Sequence, residues 1–297
     1  MKNAGNIPVL VLHRKSANRP EVKAAVKATR AAGHKLEVRI PWNKKAKRNI
    51  VRELLGAGHR RIIAGGGDGT LNAVANELIK QDVSDVEMGV LPLGTANDFA
   101  RGLSLPVNDL NACLIRACKD SSRPIDVGTL NGRCFINVAS GGFGAEVTAT
   151  TPQEIKRQLG GAAYTLAGLV KIWKMQPYSG SLELPGKEPL SGNMLLMAVG
   201  NNRFAGGGFE VAPRAKLDDG LLDLMVLTEE SLADPAATLA EIADIGNPAN
   251  RLVHYWQVPS FVIHSERPLH INLDGEPVEE TDLAFAVKPG VLRLVSA

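Results

Sequence analysis

The segment from residue 62 to residue 72 reads Ile62-Ile63-Ala64-Gly65-Gly66-Gly67-Asp68-Gly69-Thr70-Leu71-Asn72. A short apolar run ends in glycines, and from Thr70 to Ile79 apolar residues recur at helical spacing. The segment therefore predicts a strand, a glycine turn and a helix.

The glycines of this turn favour a phosphate-binding role. Glycine adopts positive φ and lets a ligand approach the backbone without a Cβ in the way, and the free N–H groups at a helix start bind phosphate. The alternative is a tight turn without a ligand, but four glycines around Asp68 are more than such a turn needs. The spacing differs from G-x-G-x-x-G, and no Gly-Lys-Ser/Thr follows. The segment resembles the GGDGT signature of diacylglycerol kinases, sphingosine kinases, NAD kinases and phosphofructokinase-like proteins.

The charge of the 297-residue chain is unevenly distributed. Residues 1–61 contain 16 Lys/Arg and 3 Asp/Glu, so +13 in this part is offset by −10 elsewhere. A one-sided positive field suits phosphates, anionic lipid headgroups or nucleic acid, although single surface lysines are more often only solvated.

Three cysteines without paired spacing favour a reducing cytosol. No apolar run approaches the ~18 residues of a membrane span, so we expect any membrane contact to be peripheral.

The first part of the chain alternates strands and helices. Strands are predicted at 7–12, 34–40 and 60–64, and helices at 20–32 and 44–55, with Gly33 ending the first helix. This order predicts a parallel sheet whose ligands lie beyond the carboxyl ends of the strands. A further strand, 86–91, leads into a second polar turn, Pro92-Leu93-Gly94-Thr95-Ala96-Asn97-Asp98-Phe99-Ala100-Arg101. Thr95 or Asn97 could cap the following helix, and two such turns can also close on one nucleotide.

The second turn distinguishes among the families that share the GGDGT signature. The pattern L-P-x-G-T-x-N-D-F-A resembles the diacylglycerol kinase catalytic-domain family, and most closely its bacterial YegS-type lipid kinases. The similarity continues through residues 134–144, 201–208 and 272–277, so it covers nearly the whole chain. It implies a Rossmann-like (NAD kinase/phosphofructokinase-like) nucleotide domain followed by an antiparallel β-sandwich domain.

The order of the elements changes near residue 121. Short apolar runs separated by turn signals follow, and they predict a β-rich domain. One of the turns, Asn131-Gly132, is typical of a hairpin. The predicted strands are 125–130, 133–139, 181–184, 194–199, 222–227, 260–264, 269–273 and 283–287. We expect a nucleotide-binding α/β domain at 1–122, a lipid-substrate domain at 123–289, and a C-terminal strand at about 290–297 that returns to the first domain. A predicted helix, 162–175, either packs on the core or enters a lipid interface; a second, 232–243, is expected to be structural.

The resemblance also implies the residues that bind nucleotide. They comprise the first turn and the helix start, with two residues of the second turn: Gly65, Gly66, Gly67, Asp68, Gly69, Thr70, Leu71, Asn72, Ala73, Thr95 and Asn97. Two positions differ from the family pattern. Relatives carry Glu where this chain has Ala73, with Glu77 one helical turn further on, and they offer a polar residue to the nucleotide where this chain has Pro41.

Three carboxylates are candidates for catalysis. Phosphoryl transfer needs phosphate positioning, a divalent cation and a proton acceptor. The resemblance places the family's general base at Glu276, although Asp274-Gly275-Glu276 also suits an ordinary β-turn. Asp274 and Asp68 are the alternatives, and sphingosine-kinase-like relatives are usually interpreted with the GGDGT aspartate as the base. Asp68 can instead bind Mg²⁺, a bridging water or the acceptor hydroxyl, or only cap the turn.

A candidate cation loop follows at residues 216–223. In YegS-like kinases this loop binds a cation, which implies the side chain of Asp219 and the carbonyls of Lys216 and Leu221. Without the resemblance, the same residues would be interpreted as a hairpin turn. The six histidines lack zinc-binding spacing, and no G-x-S-x-G elbow is present.

Taken together, the sequence predicts an ATP-dependent lipid kinase that phosphorylates a free hydroxyl of a membrane lipid such as diacylglycerol or phosphatidylglycerol. The expected cofactors are ATP and Mg²⁺, with Ca²⁺ a candidate for a separate structural or regulatory site. The expected location is the cytoplasm, peripherally on the inner face of an anionic membrane, with no nucleic-acid partner; the oligomeric state is left open. The alternatives are an NAD kinase-like small-molecule kinase and a non-catalytic nucleotide-binding membrane regulator.

Overall fold

The computed structural model describes residues 7–83, 85–142 and 177–295. The chain forms two compact units, of which unit 1 comprises Met1–Ile125 with Gly290–Ala297 and unit 2 comprises Asp126–Pro289. The predicted helix at 162–175 lies outside the described residues. Within the described ranges, no helix is both long enough and apolar enough to cross a membrane.

Unit 1 has the predicted alternation of strands and helices. Its elements are β1 (Val9–Leu12), α1 (Pro20–Ala31), β2 (Glu37–Arg39), α2 (Lys44–Gly56), β3 (Arg61–Gly66), α3 (Asp68–Lys80), β4 (Glu87–Pro92), α4 (Asp98–Gly102) and α5 (Leu110–Lys119). Gly33 follows α1 with a φ of +90°, as expected for the residue after a helix C-cap.

The sheet of unit 1 is parallel. Its strand order is β2-β1-β3-β4, and Arg293 and Leu294 near the C-terminus pair in parallel with β4. Strand β3 continues into the glycines, because Gly65 and Gly66 pair with Leu91 and Pro92. The carboxyl ends of β3 and β4 therefore lie side by side, and each leads into one of the two polar turns.

Aliphatic residues form the core of unit 1. Leu10, Ile63 and Leu91 point from adjacent strands toward α5, whose Leu114 is completely buried. The prediction of an α/β unit with an aliphatic core is confirmed.

Unit 2 is mainly antiparallel. Its elements are β5 (Ser122–Leu130, which begins in unit 1), β6 (Arg133–Phe135), β7 (Val138–Gly142), β8 (Tyr178–Glu183), β9 (Leu190–Gly200), β10 (Phe204–Ala205), β11 (Phe209–Glu210), β12 (Leu222–Thr228), a 3₁₀ helix (Glu229–Leu232), α6 (Pro235–Ile242), β13 (Val253–Val258), β14 (Ser260–Leu273) and β15 (Glu276–Val295, which ends in unit 1).

The strands of unit 2 follow the order β13-β12-β9-β7-β14-β15, and β8 pairs with β9 and β14. The Asn131-Gly132 turn has positive φ at both residues, which confirms the predicted hairpin. The strands predicted at 260–264 and 269–273 form one strand whose register shifts between His264 and Leu269. The core includes a stacked pair of rings, Phe261 and Phe285, with centroids 4.7 Å apart.

Candidate functional site

The first glycine turn places the start of α3 at the end of β3. The helix begins at Asp68, two residues earlier than the apolar periodicity predicts. The carbonyl oxygen of Gly67 accepts hydrogen bonds from the N–H groups of Thr70 (2.7 Å) and Leu71 (3.2 Å). The N–H groups of Asp68 and Gly69 come before these first helical bonds, at the positive end of the helix, and are therefore suited to an anion.

Close packing explains most of the glycines in this turn. A Cβ on Gly66 would lie 2.4 Å from the Cβ of Thr70, and a Cβ on Gly67 would lie 3.0 Å from the Cα of Gly94. A Cβ on Gly65 would lie 2.7 Å from a methyl group of Leu12. None of these glycines, nor Gly69, has a positive φ, so the turn does not use the left-handed backbone that glycine permits.

Gly69 is the exception to this packing explanation. It is exposed, its φ is not positive, and a Cβ placed on it would meet no atom within 4 Å. Glycine in a helix destabilises by about 0.5–1 kcal/mol relative to alanine. Neither sterics nor backbone conformation within the described residues requires glycine here, which is consistent with the close approach of a ligand.

The second turn packs directly against the first. The N–H of Leu93 donates to the carbonyl oxygen of Gly66 at 2.8 Å, and the backbones of Gly67 and Gly94 approach so closely that a Cβ on Gly94 would lie 2.6 Å from the Cα of Gly67. The two turns are therefore in direct contact, as closing on one nucleotide would require.

Asp68 connects the two turns. Its Oδ1 accepts a hydrogen bond of 3.0 Å from the N–H of Phe99 in the first turn of α4. The alternative that Asp68 acts as a cap is therefore partly correct. Asp68 lies in the first turn, but the helix end that it caps is that of α4, which follows the second turn. Its second oxygen, Oδ2, makes no hydrogen bond to the residues that the structure describes. That oxygen can serve a cation, a water molecule or a hydroxyl group.

Asn97 shapes the second turn. It has a left-handed backbone with φ of 52°, its Oδ1 accepts from the N–H of Gly94 at 2.7 Å, and its Nδ2 donates to the carbonyl oxygen of Gly94 at 3.1 Å. The side chain closes the turn and makes no capping bond to α4. Thr95 is exposed at the same turn. Of these two predicted nucleotide-binding side chains, Thr95 is thus the more accessible.

The other predicted nucleotide-binding residues of α3 are buried. Leu71, Asn72 and Ala73 are at most 4% exposed, and the amide oxygen of Asn72 accepts from the side chain of Asn76. Glu77 does not replace the carboxylate that Ala73 lacks, because it pairs with Arg52 and accepts from Gln81 at 3.0 Å. Burial acts to raise the pKa of Glu77, but these hydrogen bonds outweigh it and hold the pKa below its ordinary value.

A lysine that the sequence analysis did not identify lies beside the first turn. Lys47, in the first turn of α2, is 5% exposed, and its Nζ donates to Oγ1 of Thr70 at 3.2 Å. The turn after β1 is adjacent, since the N–H of His13 donates to the carbonyl oxygen of Gly65 at 2.8 Å. Burial lowers the pKa of His13, and the positive charges of Lys47 and Lys15 lower it further. Lys47 and Lys15 therefore bring positive charge close to the strand end that leads into the turn.

In unit 2, three of the family-like segments converge on Asp274. Its carboxylate accepts from the N–H groups of Ile136 (2.7 Å), Asn137 (3.0 Å) and Val138 (3.0 Å). Asn137 in turn accepts at its carbonyl oxygen from the N–H of Asn201 at 2.9 Å. These three hydrogen bonds hold the Asp274 carboxylate against the backbone of residues 136–138.

Glu276 is the first residue of β15. Asp274 and Gly275 both have positive φ, and Leu273 pairs with Glu276, so Asp274-Gly275 is a two-residue hairpin turn. The ordinary-turn interpretation is thus correct for the backbone. It leaves the side chain of Glu276, which is partly exposed, outside the turn itself.

A carboxylate that the sequence analysis missed lies beside the candidate cation loop. Asp126 is 4% exposed, and its Oδ2 accepts from the N–H of Gly220 at 2.7 Å. Burial raises the pKa of Asp219, as does the nearby charge of Asp126, although the N–H of Leu221 acts against both. A carboxylate and backbone carbonyls, as at Asp219, Lys216 and Leu221, are the donor types that a hard cation such as Mg²⁺ or Ca²⁺ takes. The described ranges contain no cluster of three or more His, Cys, Asp or Glu suited to a metal.

Comparison with known proteins agrees with this architecture. Residues 9–130 match the family model of the diacylglycerol kinase catalytic domain, and residues 137–296 match that of the YegS C-terminal NAD kinase beta sandwich-like domain. The two matched segments account for nearly the whole chain, and the prediction of a Rossmann-like domain with a β-sandwich domain is confirmed.

Two curated relatives carry the name "Probable lipid kinase YegS-like". The protein from Pseudomonas aeruginosa (strain PAO1) is 42% identical over 286 residues, which cover 96% of this chain and 93% of the relative. The protein from Chromohalobacter salexigens is 44% identical over 290 residues, which cover 97% and 92%. These identities extend through both units.

Solved structures show the same fold. A structure described as a diacylglycerol kinase from Bacillus anthracis str. Sterne has a TM-score of 0.74 at 18% identity and covers 98% of this chain and 97% of its own. Another chain from that strain has a TM-score of 0.82 at 21% identity, with coverage of 100% and 97%. At these identities the structural likeness supports the fold alone.

Proposed function

The chain belongs to the diacylglycerol kinase family, in its YegS-like lipid kinase group, and on this premise we propose that it transfers the γ-phosphoryl group of ATP to a free hydroxyl of a membrane lipid such as diacylglycerol or phosphatidylglycerol. The observation that carries the proposal is the joining of the two polar turns. Gly67 contacts Gly94, Asp68 bonds to Phe99, and the open position of Gly69 lies at the start of α3.

The nucleotide phosphates bind at the start of α3. The N–H groups of Asp68 and Gly69 provide hydrogen-bond donors, and the helix end provides a partial positive charge. Thr95 contributes an exposed hydroxyl from the second turn. These groups position the phosphates and stabilise charge, which are the main demands of phosphoryl transfer.

A Mg²⁺ ion bound at the proposed nucleotide site would neutralise charge on the phosphates. Asp68 Oδ2 is suited to hold the ion directly or through water, while Oδ1 remains bound to Phe99. The Asp219 loop is a separate position for Mg²⁺ or Ca²⁺.

Glu276 is proposed as the general base that takes the proton of the lipid hydroxyl. It is preferred to Asp274, whose carboxylate accepts three backbone hydrogen bonds. It is also preferred to Asp68, which is engaged in joining the turns. Asp68→Asn retains an acceptor for Phe99 and so tests the charge of Asp68 separately from its role in the fold.

We propose that an exposed apolar pair in unit 1 contacts the membrane. Ile40 and Trp42 are 48% and 76% exposed, and the guanidinium of Arg14 lies 5.1 Å from the centre of a Trp42 ring. Tryptophan favours the membrane–water interface, and basic residues favour anionic lipid. Trp42→Ala should weaken sedimentation with phosphatidylglycerol vesicles several-fold. Leu239→Ala, which changes an exposed apolar residue of unit 2, should not, and equal binding by the two variants would argue against this contact.

The choice of acceptor is tested by offering three substrates with labelled ATP and Mg²⁺. Diacylglycerol vesicles, phosphatidylglycerol vesicles and soluble NAD are incubated separately with the protein. Label in either lipid supports the proposal. Label in NAD alone would instead favour a small-molecule kinase, and ATP binding without label in any acceptor would favour a non-catalytic regulator.

A further inference from the structure

Two arginines are anchored on carbonyl groups of the second turn. Arg19, which precedes α1, donates from Nη1 to the carbonyl oxygen of Leu93 at 3.1 Å, and Arg101, near the end of α4, donates from Nε to that of Ala96 at 2.9 Å. The Cα atoms of Leu93 and Ala96 are at most about 11 Å apart, because three residues of extended chain span no more. Both guanidinium groups are therefore held within one short turn, at carbonyl groups that precede and follow Thr95.

These anchors leave N–H donors of both guanidinium groups available for a ligand. Arg101 is exposed, and its Nη1 and Nη2 make no hydrogen bond or ion pair to the residues that the structure describes. Arg19 uses Nε for an ion pair with Glu21 at 2.8 Å, and its Nη2 has no acceptor in the same part of the chain. A guanidinium group suits phosphate, because its planar fork offers parallel N–H donors together with a full positive charge.

The second turn brings these groups to the proposed phosphate site. Leu93, whose carbonyl accepts from Arg19, donates its own N–H to Gly66 at 2.8 Å, and Gly67 contacts Gly94. The start of α3 offers phosphate N–H donors and only a partial positive charge. A nucleoside triphosphate carries several negative charges, so full positive charges on the adjacent turn complement what the helix provides.

We propose that Arg19 and Arg101 are phosphate-binding residues of the nucleotide site, and that they contact the polyphosphate chain from the side of the second turn. This inference rests on the proposed function, because it assumes that the two joined turns bind a nucleoside triphosphate. It gives the second turn a charged role in addition to the hydroxyl group of Thr95. Arg101 contributes more than Arg19, whose charge is shared with Glu21.

Calorimetric titration of the full chain with ATP, adenosine and inorganic tripolyphosphate tests the inference. Arg101→Gln and Arg19→Gln each remove the charge and retain an amide N–H for the carbonyl of the turn. Loss of one charge-assisted hydrogen bond predicts about 10- to 100-fold weaker binding of ATP and tripolyphosphate to Arg101→Gln. Arg19→Gln should lose less, and adenosine binding should be unchanged in both variants.

Arg30→Gln is the matched control. Arg30 is exposed in the last turn of α1 and donates to the carbonyl oxygen of Leu36 at 2.7 and 3.1 Å. The variant therefore removes the same charge and the same kind of bond from the opposite end of the helix that Arg19 precedes. It should bind ATP and tripolyphosphate as the wild type does.

Glu21→Gln should act in the opposite direction. Without the carboxylate, the charge of Arg19 is no longer paired, so binding of ATP and tripolyphosphate should tighten several-fold. A role of Arg19 in holding the turn alone predicts no such gain, because the bond to Leu93 does not involve Glu21.

Thermal unfolding without ligand accompanies each titration. The variants should melt close to the wild-type temperature, since the substituted side chains are at least partly exposed. If Arg101→Gln melts well below it, Arg101→Lys is titrated instead. Lysine keeps the charge and loses the planar fork, so a few-fold weaker binding of tripolyphosphate with unchanged adenosine affinity is expected.

Three results would overturn the inference in different ways. Affinities for ATP and tripolyphosphate equal to those of Arg30→Gln in both folded arginine variants would show that neither arginine contacts phosphate, and the proposed function would stand. Weaker sedimentation with phosphatidylglycerol vesicles at unchanged ATP affinity would assign the arginines to a lipid headgroup instead. Failure of the wild-type chain to bind either ATP or tripolyphosphate would contradict the nucleotide site itself.

Discussion

Replacement of Gly69 by alanine should separate stability from nucleotide binding. The added methyl group meets no atom within 4 Å, and the backbone of Gly69 is not left-handed. Alanine is favoured over glycine in a helix by about 0.5–1 kcal/mol, so the variant should be the more stable protein. A gain of 1 kcal/mol corresponds to about 2–4 °C in melting temperature for a domain of this size.

The same methyl group should weaken ATP binding. It would occupy the space through which phosphate oxygens approach the N–H groups at the start of α3. Loss of one charge-assisted hydrogen bond costs about 1.5–3 kcal/mol, which corresponds to about 10- to 100-fold in affinity. Both quantities can be measured on one preparation, by thermal unfolding without ligand and by calorimetric titration with ATP.

Gly56→Ala provides the matched control. Gly56 is the last residue of α2, its φ is not positive, and a Cβ there also meets nothing within 4 Å. It should raise stability to a similar extent and leave ATP affinity unchanged. If Gly69→Ala binds ATP as tightly as Gly56→Ala does, the phosphate interpretation of the first turn is refuted.

Three further variants test other parts of the account. Glu276→Gln should lower kcat by about 10²- to 10⁴-fold while ATP affinity stays the same, and an unchanged kcat would exclude Glu276 as the base. Glu77 has a lowered pKa, so its stabilisation is present above its ordinary pKa of 4.5 and is lost as the pH falls through the lowered value. Glu77→Gln should therefore reduce the free energy of unfolding by about 1–3 kcal/mol at pH 7 and by less at pH 4 in urea titrations; an equal loss at both pH values would contradict the ion pair with Arg52. Asp219→Asn should weaken Mg²⁺ or Ca²⁺ binding about tenfold or more in calorimetry, whereas Asp218→Asn should not, and equal affinities would remove Asp219 from the cation site.

The α/β unit could be predicted because its signals are local. Apolar strands buried on both faces, helical periodicity and Gly33 at a helix end each specify one element. The helix α5 was missed although its signal is present: Asp109 accepts from the N–H of Ala112, and Leu110, Cys113, Leu114 and Ala117 have helical spacing.

The boundaries of the long strands could not be predicted from composition. Residues Ser265 to Pro268 contain polar residues and a proline, which are typical of a turn. The structure accommodates them as a register shift within β14. A shift of this kind is determined by pairing with the neighbouring strand, so the sequence of one strand does not reveal it.

The residues of the candidate site differ in how far sequence could identify them. Motif spacing identified the two glycine turns, but the bond from Asp68 to Phe99 joins residues that are separated by 31 positions. Lys47 reaches Thr70 from another helix, and Asp126 reaches the cation loop from a distant strand. Such contacts depend on tertiary packing, and a single sequence contains no local signal for them. The chemical roles of Asp68, Asp274 and Glu276 stay predictions.

The most direct measurement compares α-labelled and γ-labelled ATP with vesicles that contain diacylglycerol or phosphatidylglycerol in the presence of Mg²⁺. Lipids are extracted after incubation and separated, and the label is counted in the lipid fraction. The account predicts label in lipid from γ-labelled ATP only, at a rate that falls strongly in Gly69→Ala and Glu276→Gln. ATP binding by the wild-type chain with no label in either lipid, or label that persists undiminished in both variants, would contradict it.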